Sequence, residues 1–316
     1  KESKLHFKKS VGFFRAGPSE VKYQMVEELS FEQQDVNRCC RVLEVSRSGY
    51  YDWLKRPISA RKTQNQELAK KIKQHWIESR ETYGLPRLFQ KLKNENIHVG
   101  KNRVHKIMKE NNMCRIASTK FNAVTTGSNH TLPIANRVFK TEKHSEIVTQ
   151  NNKFWGGDIT YIPTEEGWLY LSIFLDLFTR KVVGHAMDKT MTTELVIESL
   201  NMGLKRQGLT TASDLTAHSD RGSQYASEDF RLKLAAHKIT ASMSRKGNCY
   251  DNAFVETFFK TLKTELIYRN KFKTRSEAKA AIFEFIEVWY NRQRLHSSLG
   301  YLTPEDYEAK QYLTAA

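Results

Sequence analysis

Cysteine is scarce in this chain, four in 316 residues, and Cys39, Cys40, Cys114 and Cys249 form neither a Cys-x-x-Cys pair nor a spaced set with histidine. A structural zinc site is therefore not expected, and reduced thiols of a cytosolic protein are. Long apolar runs are also missing. Nothing approaches the ~20 residues that cross a bilayer, and no signal-peptide pattern leads the chain. No membrane partner is expected, and a cytoplasmic location is. A phosphate-cradling loop ending in Gly-Lys-Ser/Thr is absent too, so the chemistry is expected to run without ATP. The sequence opens on Lys1 rather than Met, and an upstream segment is expected.

What is present is ample core material and an uneven charge. Hydrophobic residues make up 39% and aromatics 11%, enough for packed domains rather than a disordered chain. The net charge of +16 is concentrated in one half: residues 1–150 carry 29 Lys+Arg against 15 Asp+Glu, residues 151–316 carry 22 against 20. A basic half points to a polyanion partner, bound in a steeply salt-dependent way.

That basic half reads as helices. Ser19 is placed to cap Glu20–Leu29, Ser30 to cap Phe31–Leu43, and Ser46 to open Arg47–Lys55, which Pro57 stops. The short Glu44-Val45-Ser46 turn has the length of a helix-turn-helix connection, whose second helix enters a major groove. Arg47, Ser48 and Tyr51 would face the groove, with Val42, Leu43, Val45, Tyr50 and Trp53 as the small core. A second helical unit follows. Ala60–Arg80 carries a stripe of Leu68, Ile72, His75, Trp76 and Ser79, Tyr83-Gly84 breaks it, and Leu85–Asn94 and Arg103–Asn112 follow. Val104, Ile107 and Met108 would be buried there, while Lys101, Arg103 and Lys106 project. Packing or dimerisation competes with DNA contact for the long helix. Residues 114–150 lack periodicity and read as a linker.

From Lys153 the period changes. Phe154–Pro163, Leu169–Leu177 and Lys181–Met187 read as consecutive strands joined by hairpins. A helix (Thr192–Gln207), a strand (Leu215–Ser219), a helix (Ser227–His237), a strand (Thr240–Ser242) and a helix (Ala253–Leu266) come next, and Ser276–Asn291 closes the domain ahead of Pro304. The order βββαβαβα is that of an RNase H-like fold, so the chain is α+β and multidomain: 1–57 and 58–113 helical, 114–150 linker, 151–316 catalytic with a tail.

Three carboxylates stand out. Asp158 lies in the β-rich run Phe154–Pro163, which this order makes the central strand, and Asp220 ends the strand beside it. Glu256 lies on the helix that Asp251-Asn252 is placed to cap. Hard divalent cations take oxygen ligands, and two of them ~4 Å apart serve phosphoryl transfer, so Mg²⁺ or Mn²⁺, two ions per site, would be held by Asp158, Asp220 and Glu256. Glu256, Lys260 and Lys263 at i, i+4 and i+7 share one helix face, with Phe254, Phe258, Leu262 and Ile267 inward. Lys260 and Lys263 are expected on DNA beside the site, although a Glu256–Lys260 ion pair competes. Arg245 and Lys246 in the basic loop Ser244–Asn248 are further DNA candidates, as are Arg292, Arg294 and His296. Asp176 is read as pairing with Arg180 or with turn backbone, His218 as a satisfied core histidine, and Glu194 and Glu198 as a solvated helix face.

With their flanking segments (WGGDITYIPT, LDLFTRKVVG, HSDRGSQY, SRKGNCYDNAFVETFFKTLKTE and WYNRQRLHSSLGYLTPEDY) the three acids resemble the DDE signature of the retroviral-integrase superfamily, and in detail the bacterial insertion-sequence transposases of the IS-three family. The resemblance covers nearly the whole chain. It implies a DNA transposase that binds the terminal inverted repeats of its element, cuts 3′ ends and transfers strands to target DNA by a copy-out, paste-in route, as a homo-oligomer, with a dimer expected. It also implies that residues 58–113 include a second helix-turn-helix. Two rivals stand beside it: a nuclease of RNase H type that does not join strands, and a basic DNA-binding repressor without chemistry.

Overall fold

The computed structural model describes residues 17–57, 59–114, 132–136, 148–211, 214–245 and 252–315. The chain divides after Lys70 into two compact units, each described by itself.

The first unit is built on three helices, α1 (Ser19–Phe31), α2 (Val36–Val42) and α3 (Arg47–Lys55). The expected helix Phe31–Leu43 is shorter than its pattern suggested. Gln33 takes a left-handed φ of 62°, and Asp35, not Ser30, caps α2 by accepting from Asn37 N at 3.1 Å. The Ser30 hydroxyl donates back to Glu27 O instead. Ser46 does cap α3, accepting from Gly49 N at 3.0 Å. Val26, Leu29, Cys39, Cys40, Leu43 and Tyr50 form the buried core, with Val42, Val45 and Trp53 half-buried against it.

In the second unit the chain leaves the end of α4 (Ala60–Glu78) into α5 (Leu85–Asn94) and α6 (Lys101–Glu110). α6 begins two residues before the expected Arg103 because Gly100 is extended and its carbonyl accepts from Arg103 N and Val104 N. Val104, Ile107 and Met108 are buried as their spacing required.

The rest of the second unit is a five-stranded sheet in the order β3-β2-β1-β4-β5, from β1 (Phe154–Thr164), β2 (Gly167–Asp176), β3 (Val182–Asp188), β4 (Thr216–Ser219) and β5 (Thr240–Met243). β1 is central, antiparallel to β2 and parallel to β4. Between them run α7 (Thr193–Arg206) and α8 (Glu228–Ala236), followed by α9 (Ala253–Glu265) and α10 (Arg275–Glu284). α10 widens into a π-turn at Phe285–Tyr290, and the tail from Pro304 is itself a helix, α11 (Pro304–Ala315).

One core lies on the α7–α8 side, where Trp155, Phe174, Val196, Leu200, Tyr225 and Phe230 pack together. Two glycines permit close approach on both sides of β1. A Cβ on Gly157 would lie 2.8 Å from Phe174, and one on Gly156 would lie 2.7 Å from Val255 of α9. A side chain at Gly156 would push α9 off the strand that carries Asp158.

Candidate active site

The first two carboxylates are placed by sheet register. β1 and β4 run parallel with Gly157 opposite Ser219, so the next residues outward, Asp158 and Asp220, adjoin at the point where β4 stops. Asp158 Oδ1 accepts from Ile159 N at 2.8 Å. Asp220 Oδ1 accepts from Gly222 N at 2.9 Å, an Asx-type turn that fixes the carboxylate where the strand ends.

The third comes from α9, whose inward face is Val255, Phe258, Phe259 and Leu262. Phe254, expected inward, is only half-buried and lies under the Arg180 guanidinium, 3.4 Å from ring centroid to Cζ. Asn252 does not cap α9 with its side chain. It is buried and its Nδ2 donates to Gly157 O at 3.3 Å, tying the start of the helix to the strand residue next to Asp158. Glu256, one turn further, is exposed.

Electrostatics tie these groups together. Burial pushes the Asp158 carboxyl well above the usual carboxylate range, the Asp220 charge adds to this, and Glu256 adds less; the Ile159 N–H and Lys263 oppose it. Glu256, though exposed as a residue, is raised because neighbouring groups shield its carboxyl in part from water. Lys263 is half-buried, its ammonium disfavoured by burial and favoured by Asp158, and its Nζ lies 5.2 Å from the Tyr161 ring centroid. Tyr225, wholly buried, is raised well above the ordinary phenol value by burial and then by Asp158 and Asp220. The site is thus two adjoining carboxylates with a third acid and an ammonium within electrostatic reach. Among the described residues, no three His, Cys, Asp or Glu side chains already form a closed metal cage.

The other sequence expectations fall as follows. Asp176 is fully buried and accepts from Asn152 N, Phe178 N, Thr179 N and the Thr179 hydroxyl, so it holds a turn. His218 is buried with Nδ1 2.8 Å from Ser242 Oγ and Nε2 3.1 Å from Ser244 Oγ. Glu194 and Glu198 are exposed, and neither is among the charges that move Asp158. Arg47, Ser48 and Tyr51 are exposed on α3, with the Arg47 guanidinium 5.7 Å from the Tyr51 ring centroid. Lys101 and Lys106 are exposed and Arg103 half-buried, and Lys106 lies 3.8 Å from Glu110. Arg245 and Lys260 are exposed. Lys246 and Asp251 lie outside the described residues, as does most of the expected linker.

Two expected DNA contacts are corrected. Arg294 is buried in an ion pair with Glu265 at 2.8 Å, and His296 is buried beside Tyr290, so neither side chain is open to a phosphate. Arg292 is exposed and pairs with Glu305 at 3.0 Å. Tyr161 and Tyr225 escaped the sequence reading, and Asn252 was read there only as a cap. Each sits within five residues of a chosen acid, but only the folded register shows that they meet it.

Comparison with known proteins gives a consistent picture. The Integrase core domain family matches residues 148–249, a second family of the same description matches 237–304, and the HTH-like domain family matches 63–121. The chain is 43% identical over 277 residues to the insertion element IS600 uncharacterized 31 kDa protein of Shigella sonnei, covering 88% of this chain and 100% of that protein. It is 37% identical over 292 residues to Transposase InsF for insertion sequence IS3A of Escherichia coli (strain K12), covering 92% and 99%. Among solved structures it is similar to the HTLV-2 integrase catalytic core domain in complex with magnesium, at 16% identity and a TM-score of 0.37, covering 50% of this chain and 96% of that one.

Proposed function

The chain belongs to the IS3 family of insertion-sequence transposases, and from that premise we propose that Asp158, Asp220 and Glu256 are the catalytic carboxylates of its DNA cleavage and strand-transfer reactions. The observation that carries this reading is the strand register that sets the half-buried Asp158 beside Asp220, with Glu256 near enough for its charge to act on Asp158. Carboxylates crowded in this way repel one another, and a divalent cation relieves that repulsion. The donors are all hard oxygens, which suits Mg²⁺ or Mn²⁺. Asp158 and Asp220 would hold the cations from the sheet, with Glu256 completing the shell from α9. When bound, two such ions polarise the scissile phosphate and stabilise both the entering and the leaving oxygen.

The rest falls to the chain's own residues. The sheet holds Asp158 and Asp220 on adjacent strands. Asn252 keeps Glu256 against β1, and Lys263 offers a cation to a phosphate oxygen beside Asp158. In the first reaction a water oxygen forms a bond to phosphorus while the P–O3′ bond breaks, leaving a 3′-hydroxyl. In the second that hydroxyl's oxygen bonds to another phosphorus, which releases its own 3′-oxygen. One phosphodiester is lost and one gained in the second step, so no nucleotide hydrolysis is needed. The copy-out, paste-in order and a dimeric assembly belong to the same proposal. So does recognition of the element ends by residues 1–57 and 58–113, through Arg47, Ser48, Tyr51, Lys101, Arg103 and Lys106, with Arg245, Lys246, Lys260 and Lys263 on DNA nearer the site.

The test is a pair of assays on the same protein. Asp220→Asn and Glu256→Gln are expected to lose cleavage and joining while binding element ends nearly as tightly as the parent; surviving activity would sink the assignment. A pre-cut end offered with target DNA separates transposase from nuclease, since only the former yields joined product. A repressor would show binding alone.

A further inference from the structure

Beyond Gly157, β4 no longer pairs with β1, and at Thr164 β1 bridges in parallel to Phe272 of the segment that follows α9. Tyr161 and Trp168 meet edge to face across the β1–β2 hairpin, 4.8 Å between centroids at 86°. Trp168 is 49% exposed and Tyr268 46%. Partial burial raises the Tyr268 phenol, and Tyr161 adds to this. Lys263 has its Nζ 5.2 Å from the Tyr161 ring centroid, and its charge reaches Asp158.

The segment that follows α9, Tyr268-Arg269-Asn270-Lys271-Phe272-Lys273-Thr274-Arg275, holds four basic residues and no acid. Lys271 and Lys273 are exposed, and neither side chain has an ion pair among the described residues. The platform is also stiff. Glu165 N donates to Phe272 O at 3.0 Å, Arg275 Nε to Trp168 O at 3.0 Å, and Arg275 N to Glu166 Oε2 at 2.8 Å. Trp168 is therefore presented by a hairpin tip pinned to the basic segment.

Flat exposed rings interleaved with cations suit unpaired nucleotides, whose bases stack on the rings while their phosphates meet the ammonium groups. A fully paired duplex shields its base faces, so the rings favour unpaired bases. We propose that the exposed rings of Trp168 and Tyr268, with the half-buried Tyr161 set against Trp168 and with Lys263, Lys271 and Lys273, form a stacking platform that takes the unpaired terminal nucleotides of the DNA lying in the active site. This deepens the transposase reading and rests on it for the identity of the DNA.

The test is a binding measurement on the full chain in chelator, so that no strand is cut. Fluorescence anisotropy compares a blunt duplex with the same duplex bearing a short unpaired tail. The parent is expected to bind the tailed DNA roughly tenfold tighter, the scale of one stacked base. Trp168→Ala should erase that preference and leave blunt binding unchanged, and Trp168→Phe, which keeps a ring, should restore most of it. Lys271→Ala with Lys273→Ala should weaken both duplexes and flatten the salt dependence by roughly two phosphate contacts. Equal affinity of the parent for both duplexes, or equal loss on both in Trp168→Ala, would overturn the proposal. Asp220→Asn, assayed for joining in parallel, keeps the two ideas apart: joining lost with no tail preference refutes only the platform, and joining retained with a tail preference refutes only the catalytic assignment.

Discussion

The carboxylate of Glu265, the last residue of α9, and the guanidinium of Arg294 are both buried. Arg294 Nε donates to both Glu265 oxygens at 3.1 Å and Nη2 donates to Oε1 at 2.8 Å; Trp289 Nε1 adds a bond to Oε2 at 3.0 Å. Removing one partner strands a charge in the interior, which costs about 3–5 kcal/mol. Arg294→Ala should lose that much. Replacing both residues with methionine removes the desolvation cost together with the attraction, and such exchanges are often neutral or stabilising by about 1–4 kcal/mol. The double variant leaves the buried Trp289 N–H without its acceptor, at a cost of about 1–3 kcal/mol, and should still recover part of the single variant's loss. For a unit of this size each kcal/mol moves the melting temperature by about 2–4 °C, so the single change is readable by thermal or urea unfolding followed through tryptophan fluorescence. A loss below about 1 kcal/mol for Arg294→Ala, or a double methionine variant no more stable than the single, would refute the picture of a buried, mutually compensated pair.

Other outcomes follow from the same geometry. Asn252→Ala removes the tether to Gly157 O and should slow strand joining by about tenfold or more with end binding unchanged, because small misplacements of catalytic groups are costly; a joining rate within twofold of the parent would dismiss the tether. Gly184→Ala places a methyl on the Ser199 carbonyl oxygen and 2.7 Å from Gly203 N, backbone that does not yield, so a loss of about 3 kcal/mol or an insoluble product is expected, read as soluble yield and melting temperature. His296 is pushed down to about 2 by burial, then by Arg294, Arg87 and Arg180. It stays neutral in the native protein while the unfolded chain takes a proton near 6.5. Its stabilising contribution is complete above that value and is lost as pH falls, by about 1.4 kcal/mol between pH 7.5 and 5.5. His296→Gln should lose that much less over the same interval in urea titrations, and an identical acid loss in both proteins would mean the imidazole is charged in the native state.

Much of this was legible in the sequence for physical reasons that can be named. Strand periods and glycine turns place β1 to β5 within one or two residues of their observed limits, because alternation and punctuation are local signals. The adjacency of Asp158 and Asp220 also follows from strand order alone. Side-chain allegiance was harder to read. Arg294 looks like a phosphate ligand in sequence, and only the return of the chain after the π-turn brings it onto Glu265, 29 residues earlier. Asn252 reads as a helix cap by type and position, yet its amide serves a strand 95 residues away. Ser30 failed as a cap because Gln33 turns the chain before the second helix begins, and left-handed residues other than glycine leave little trace in sequence.

The third acid is the one the fold holds least directly, since Asp158 and Asp220 are set by sheet hydrogen bonds and Glu256 by a helix. That helix is secured at both ends, by Asn252 on Gly157 at its start and by Glu265 on Arg294 at its finish. Thirteen residues separate the two fastenings by about 20 Å, far enough for their energetic effects to add with little coupling. Their consequences for rate should differ. Glu256 stands one turn from the Asn252 end and more than two from the other, so slackening at Gly157 moves the carboxylate, whereas slackening at Arg294 frays the far end and leaves Glu256 in register. Asn252→Ala combined with Arg294→Ala should thus show summed losses of stability but, at a temperature where both variants are folded, the joining rate of Asn252→Ala alone. A further rate loss in the double variant would mean that the helix moves as a rigid rod, with Glu256 aimed from its far end.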